Sequence, residues 1–270
     1  MRALRLAMTL LVAASCQDAV TLPQGDLWAP LLADPKEPRF AMSLRTERPH
    51  GDDARTTGVA SFGETFGLYR RAHGGDGVQL NLAAGIFAQF DLDGFSNGLV
   101  NADYQIGLPL TWRAGATSAR ARVYHQSSHL GDEYILKNRL RERENYNFDA
   151  AELLLARDVG GGRVYLGGEY LFGRQPDELE PWQAHGGAEY RSRAPVLGPA
   201  RLVAGVDLKS WAENDWKAGV SAVLGLEVAS QAANGRMVRL QFEFYDGYGP
   251  YGQFFDVEMR SYGIGLAFSF

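Results

Sequence analysis

Residues 78–91 read VQLNLAAGIFAQFD, and apolar side chains stand at every second position of this stretch. One parity holds Val78, Leu80, Leu82, Ala84, Ile86, Ala88 and Phe90. The other parity carries polar side chains at Gln79, Asn81, Gln89 and Asp91. Successive side chains of a strand point to opposite faces, whereas a helix would scatter these apolar residues around its axis. The stretch therefore predicts a β-strand with one apolar and one polar face.

The same alternation continues from residue 39 to the end of the chain. We predict about twelve strands, near 39–47, 57–69, 78–91, 99–113, 118–130, 145–158, 162–174, 182–193, 200–211, 215–230, 237–246 and 256–270. Short connections alternate with longer ones along this series. Such a pattern is typical of a transmembrane β-barrel, whose closure leaves no unpaired backbone edge in lipid. The predicted fold class is all-β, an antiparallel transmembrane β-barrel.

The last predicted strand supports this fold. Apolar residues share one parity up to the C-terminus, at Tyr262, Ile264, Leu266, Phe268 and Phe270. This ending resembles the C-terminal signal that outer-membrane barrels present to the barrel assembly machinery. A soluble β-sandwich also alternates, but sandwich strands average five or six residues, and those predicted here are about ten residues or longer, as a tilted bilayer crossing requires. The predicted location is the outer membrane of a Gram-negative-type bacterium.

In such a barrel the apolar rows face lipid and the charged rows face the lumen. The predicted lumen residues are Arg39, Arg45, Arg120, Arg122, Arg163, Glu169, Glu189, Arg191, Arg201, Asp207, Lys209, Lys217, Glu227, Arg239 and Glu243. Long side chains of both signs can pair across a narrow barrel and fill it, which favours a selective or closed lumen over an open pore. The predicted interfacial aromatic residues are Tyr104, Trp112, Trp182, Tyr190, Trp216 and Tyr262.

Composition excludes several other classes of protein. The 270 residues contain 27 Lys and Arg against 32 Asp and Glu, and the resulting net charge of −5 argues against nucleic acid as a partner. A single cysteine excludes a disulfide framework. No run of eighteen apolar residues occurs beyond the N-terminus, which excludes a helical membrane bundle.

The N-terminus has the pattern of an export signal. Residues 1–16 combine two arginines, an apolar core and small residues ahead of Cys16. The end of this segment also resembles the lipobox of bacterial lipoproteins, so lipidation of Cys16 and ordinary cleavage are two open alternatives. Residues 17–38 are rich in proline and lack periodicity, which predicts an extended periplasmic segment ahead of the barrel over residues 39–270.

One segment carries residues suited to catalysis. His125, Ser127 and His129 continue the lipid-facing parity of the fifth predicted strand, where residues i and i+2 are separated by a rise of about 6.6 Å. Either histidine can therefore serve as a base for the Ser127 hydroxyl. A hairpin symmetric about residue 138 would place Ser127 opposite Asp149, which would then lie diagonally from His125 and hold its imidazole.

This segment resembles the active-site motif of outer-membrane phospholipase A and, in spacing, that of the lipid A 3-O-deacylase barrel. The resemblance implies His125 as general base, Ser127 as nucleophile, and Asp149, Asn147 or Asn138 as the orienting group. The phospholipase pattern continues Ser-Asn-Gly, whereas Ser128 and His129 follow here.

A longer resemblance involves two blocks of sequence. Residues 29–40, APLLADPKEPRF, and residues 124–134, YHQSSHLGDEY, are similar to the bacterial family named domain of unknown function 1207. The likeness extends from about residue 28 to the C-terminus. Because the function of this family is unknown, the resemblance does not indicate which activity the protein has.

Three functions remain open at this stage. The first is a serine lipid acyl-hydrolase, with an oxyanion hole from backbone amides near Gly131. The second is a substrate-selective channel, and the third is a structural or lipopolysaccharide-binding barrel. Asp132 and Glu133 are candidate ligands for Ca²⁺ at the rim. The expected partners are outer-membrane lipid and lipopolysaccharide, and a homodimer is one alternative for the oligomeric state.

Overall fold

The computed structural model describes residues 18–94, 96–138, 145–230 and 235–269. The predicted signal sequence, Cys16 and the terminal Phe270 lie outside the described residues. The strands are β1 (Asp18–Thr21), β2 (Phe40–Pro49), β3 (Arg55–His73), β4 (Asp76–Asp91), β5 (Leu99–Ala114), β6 (Thr117–Leu130), β7 (Tyr146–Val159), β8 (Gly162–Gln175), β9 (Trp182–Arg191), β10 (Arg201–Trp211), β11 (Ala218–Ala229), β12 (Met237–Tyr248) and β13 (Glu258–Ser269). Helix α1 (Asp132–Lys137) follows β6, and 3₁₀ turns occupy Ala212–Asn214 and Gly252–Phe254.

Strands β2 to β13 form a closed antiparallel ring in which each strand pairs with the next. The ring closes where β13 pairs with β2, from Phe268 opposite Phe40 to Met259 opposite Pro49. The predicted antiparallel barrel of twelve strands is thus confirmed. β1 lies outside the ring and pairs with the end of β3. No helix in the described part of the chain is long and apolar enough to span a membrane.

The two faces of the barrel follow the predicted parity. Leu240, Phe242 and Ile264 are about half exposed on the outer surface, and all six predicted interfacial aromatics are exposed there as well. Polar side chains of the opposite parity are completely buried in the lumen, as at Gln79 and Asn101. An apolar exterior around a polar interior is the arrangement expected of a barrel in a bilayer.

Three of the predicted lumen residues do not lie within the closed interior. Arg201 is the exposed first residue of β10, and Arg191 is the last residue of β9, with a side chain that is 43% exposed. Lys217 was predicted within a strand, but β11 begins one residue later, and the Lys217 ammonium pairs with Glu258 at the surface. All three lie at strand ends, where alternation no longer determines burial.

A re-entrant N-terminal segment fills part of the lumen. Residues 24–38, here called the plug, include side chains that are almost completely buried. Trp28 and Leu31 pack against Leu154, Ala156 and Tyr165 on the inner wall, and the guanidinium of Arg120 lies 5.3 Å from the Trp28 ring. The sequence predicted an extended periplasmic segment over residues 17–38, whereas the plug lies inside the barrel.

Charge pairs hold the plug in place. Lys36 bonds to Asp103, the Glu37 carboxylate lies 2.9 Å from a guanidinium nitrogen of Arg120, and the Asp34 carboxylate lies 3.1 Å from Nζ of Lys209. Wall charges that face an enclosed interior require partners. The plug meets this requirement, which is a physical reason for its position in the lumen.

The connection between β12 and β13 covers the lumen from the other end. This lid, residues 249–257, donates a backbone hydrogen bond of 3.0 Å from Gly252 to Asp103 and one of 3.1 Å from Gln253 to Ser128. Tyr251 of the lid is itself buried, and this burial raises the pKa of its hydroxyl to about 12. Asp103 therefore binds both the plug and the lid.

Removal of the plug together with the lid should open the barrel to ions. We expect the full chain to give no steady conductance in a planar lipid bilayer, because the plug and lid fill its interior. A variant that lacks residues 24–38 and has a short glycine and serine linker in place of lid residues 250–256 should give stepwise ion conductance. A matched deletion of residues 18–21 removes β1, retains the plug and should remain closed. Steady conductance by the full chain would contradict this prediction.

Candidate active site

β6 presents two different rows of side chains at the end that leads into α1. Tyr124, Gln126 and Ser128 point into the lumen and are buried, whereas His125 and His129 are exposed on the outer face and Ser127 is half-buried there. The structure thus places the histidines and Ser127 on the lipid-facing row, as their parity predicts. The same strand carries polar groups to both the lumen and the outer surface.

His125 forms a hydrogen bond with Asp149 on the neighbouring strand β7. The two residues are direct cross-strand partners, and Nδ1 of His125 lies 2.9 Å from Oδ1 of Asp149. An ionised carboxylate only accepts hydrogen bonds, so Nδ1 carries the proton and donates it. In the neutral imidazole, Nε2 is then the basic nitrogen.

The predicted register of this hairpin is wrong by two residues. Ser127 faces Asn147 instead of Asp149, so Asp149 lies directly opposite His125. The pairs between β6 and β7 run without a bulge from Thr117 opposite Arg157 to Ser128 opposite Tyr146, so the hairpin is centred on residue 137 instead of 138, and this shift of one residue in the centre moves every partner by two. The observed register therefore places the Asp149 carboxylate directly opposite the imidazole, and not in the diagonal position that the sequence predicted.

Ser127 lies two residues beyond His125 on the same face. A strand separates such residues by a rise of about 6.6 Å, so side-chain rotation can bring the hydroxyl toward the imidazole. Among the described residues, no hydrogen bond is formed by the Ser127 hydroxyl. Catalytic hydrogen bonds are often long without substrate and tighten on binding.

The other predicted residues have different partners. The His129 ring packs edge-on against Tyr104, with ring centroids 5.8 Å apart. Asn147 donates to Asn145 and Gln175, and the Asn138 side chain donates to the Tyr134 carbonyl at the end of α1. Asp149 is therefore the one of the three predicted orienting residues that contacts His125.

Asp132 and Glu133, the predicted Ca²⁺ ligands, occupy the first turn of α1. The Glu133 carboxylate accepts a hydrogen bond of 2.5 Å from the Ser96 hydroxyl. In the described ranges, neither residue belongs to a group of three carboxylate, imidazole or thiolate side chains placed to share an ion. Calcium binding at this rim stays a prediction.

The predicted oxyanion donor near the site is already engaged. The Gly131 amide donates a hydrogen bond of 3.0 Å to the Val100 carbonyl, which extends the ladder between β5 and β6. This amide is therefore not available to bind a developing oxyanion unless the strand end moves.

A groove on the outer face leads to the histidine and serine. It has a volume of about 580 Å³ and extends from the start of β2 across β3, β4 and β5 to β6. Its apolar walls include Phe40, Phe62, Phe66, Leu82, Ala84, Ile86, Tyr104 and Ile106, and His125 and Ser127 line one end. The groove is open to the hydrocarbon side of the barrel, so a lipid acyl chain can reach it without crossing water.

Sequence reasoning missed one residue of this groove. Glu64 is an exposed carboxylate in the middle of β3, between Phe62 and Phe66, and it lines the groove. A carboxylate on a lipid-facing row is costly, and such residues are functional candidates. The signal was present in the sequence as a single charge in an otherwise apolar row.

Solved structures with the same architecture include bacterial phospholipases. The outer membrane phospholipase of Salmonella typhi, a dimer with bound calcium, superimposes with a TM-score of 0.59 at 16% identity over 86% of this chain and 92% of that chain. Outer membrane phospholipase A of Escherichia coli gives a TM-score of 0.57 at 17% identity over 86% and 97%. At such identities the similarity establishes the fold alone.

No curated protein matches the chain in sequence. A family profile does match, and it includes both blocks that carried the family resemblance, residues 29–40 and 124–134. Because the match extends over residues 9–270, the chain belongs to the DUF1207 family, described as proteins of unknown function.

Proposed function

We propose that the chain is a serine acyl-hydrolase that cleaves ester-linked lipids at the lipid-facing surface of the outer membrane. The observation that carries this proposal is the 2.9 Å contact between His125 Nδ1 and Asp149 Oδ1. His125 lies two residues from Ser127 on the same face of β6. A contact between two exposed polar side chains contributes little to the stability of the fold, so we explain the contact between His125 and Asp149 by a role in orienting the imidazole.

The proposed reaction assigns one role to each side chain. Nε2 of His125 removes the proton from the Ser127 hydroxyl as Oγ attacks the ester carbonyl. Asp149 stabilises the resulting imidazolium and holds the ring in place. The imidazolium then protonates the leaving alcohol, and water hydrolyses the acyl-serine by the reverse sequence.

The groove supports an acyl chain as the substrate group. A long hydrocarbon chain gains free energy from apolar contact, and the groove walls are formed largely by phenylalanine, leucine, isoleucine and alanine. One end of the groove contains His125 and Ser127, so an acyl chain in the groove would place its ester bond near them. We therefore propose phospholipid or lipid A as the substrate class.

The interior of the barrel favours hydrolysis over transport. A channel requires a continuous path, whereas the plug and the lid both occupy the lumen and bind Asp103 there. This arrangement weighs against the alternative of a constitutively open, substrate-selective channel.

Substitution of the three residues should separate catalysis from folding. Ser127→Ala and His125→Ala should each lower lipid esterase activity about 10³-fold or more. Asp149→Asn can still accept a hydrogen bond from Nδ1 and should retain more activity than Asp149→Ala, because both variants lose the negative charge but only Ala loses the bond. Rates on detergent-solubilised phospholipid measure these effects.

A fluorophosphonate probe supplies the direct measurement. It should label the refolded wild-type protein at Ser127, and peptide mass spectrometry should locate the adduct there. Ser128→Ala leaves the outward hydroxyl in place and should still be labelled, provided that circular dichroism shows an intact barrel. Absence of labelling in folded wild-type protein would refute the proposed nucleophile.

Filling the groove should alter chain-length preference. Ala84→Phe adds a ring to the groove and should lower the rate on long-chain esters about 10-fold, with little effect on acetate esters. Ala188→Phe makes the same change on the exposed face of β9, away from the groove, and should leave both rates unchanged. An equal loss on both ester classes in Ala84→Phe would contradict acyl binding in this groove.

A further inference from the structure

A second cluster of titratable side chains lies inside the barrel, on the opposite side of the wall from the lipid face. Glu152 of β7, Glu169 of β8 and His185 of β9 each offer one ligand atom, and these three atoms lie within 4.8 Å of one another. All three residues are buried, and none belongs to the proposed hydrolase site.

The hydrogen bonding of His185 leaves one ring nitrogen without a partner. Nε2 lies 2.7 Å from Oδ2 of Asp207, which also accepts a bond from the Tyr165 hydroxyl. Nδ1 is buried and has no hydrogen-bond partner in the part of the chain that the structure describes, although the His185 side chain is only 1% exposed. Because Nε2 donates to the carboxylate, Nδ1 of the neutral ring carries a lone pair that faces no donor.

The two glutamates place like charges against each other. Glu152 and Glu169 are direct cross-strand partners, an arrangement that destabilises a sheet unless a cation compensates. Glu152 pairs with Arg120 and Arg122, but among the described residues Glu169 accepts a hydrogen bond only from the neutral Tyr124 hydroxyl. A carboxylate has about four lone-pair directions, so Glu152 can hold a further ligand.

The charge around the cluster is unbalanced. The cluster and its immediate partners include two arginines, Arg120 and Arg122, and four carboxylates, which are those of Glu37, Glu152, Glu169 and Asp207. These carboxylates and guanidiniums together carry a net charge of −2, and the neighbouring Lys209–Asp34 pair does not change it. One divalent cation would neutralise the group.

We propose that Glu152, Glu169 and His185 bind one divalent metal ion, Zn²⁺ in preference to others, in the barrel lumen. Imidazole nitrogen and carboxylate oxygen are common ligands of Zn²⁺, at about 2.0–2.2 Å. A carboxylate that holds the second nitrogen of a ligating histidine is the usual outer partner in such sites, and Asp207 occupies that position.

The site adjoins an internal cavity, and the ion would have a structural role. Glu169 and Asp207 line a cavity of about 110 Å³ that lies between the plug and the lid. Through its ligands and Asp207, the ion would connect four consecutive strands, β7 to β10. It would therefore stabilise the part of the wall where the plug residue Glu37 binds Arg120. This inference is independent of the proposed hydrolase activity.

Metal analysis of the full chain, refolded in detergent and stripped with EDTA, tests the proposal. After incubation with Zn²⁺ and removal of free ion, we expect about one Zn²⁺ per chain by elemental analysis, and a higher thermal midpoint than without metal. Co²⁺ should give visible absorption bands of a nitrogen and oxygen site. Failure of the wild-type protein to retain either ion would overturn the proposal without reference to any variant.

Variants then assign the ligands. His185→Gln and Glu169→Gln should bind less than a tenth of the wild-type Zn²⁺, and Asp207→Asn should weaken the affinity about 10–100-fold. His50→Gln changes an exposed loop histidine and should bind like the wild type. If His185→Gln folds, as judged by circular dichroism, and retains the full complement of Zn²⁺, the site is refuted.

Discussion

The structure depends on ion pairs formed by the charged side chains that the barrel strands direct into the lumen. Each ion removed from water costs several kcal/mol unless a partner compensates it, and the inward rows of the strands carry many ions. Some of these pairs form between two residues of the wall itself, as between Arg163 and Glu189 or between Arg45 and Glu243. Others require Asp34, Lys36 and Glu37 of the plug. The N-terminal segment is thus an integral part of the folded barrel.

The lumen and the lipid face are connected through one strand. Ser127 faces outward next to His125, whereas the adjacent Ser128 faces inward and accepts a hydrogen bond from the lid while it donates to Asp103. A strand fixed by such internal contacts has little freedom to shift, which is useful where two side chains must meet with a geometry suited to proton transfer. The internal polar network therefore supports the arrangement on the outer surface.

The sequence was most informative where the controlling interaction is local. Period-two alternation determined the twelve ring strands and the outward direction of His125 and Ser127, because the parity of a strand is a property of the backbone itself. The hairpin register was predicted incorrectly, because a shift of two residues leaves every side chain on the same face, so alternation does not distinguish the predicted register from the observed one. The plug was missed because its ion pairs join residues far apart in sequence, such as Asp34 and Lys209.

The topology of the N-terminus makes the plug a ligand that is tethered at both ends. β1 precedes it and β2 follows it, and both strands pair with β3. A segment held in this way cannot diffuse away after it dissociates from the wall, and short tethers impose effective concentrations of about millimolar. Any free anion or cation that competes for the same wall residues must therefore bind tightly or be present above about that concentration to displace it.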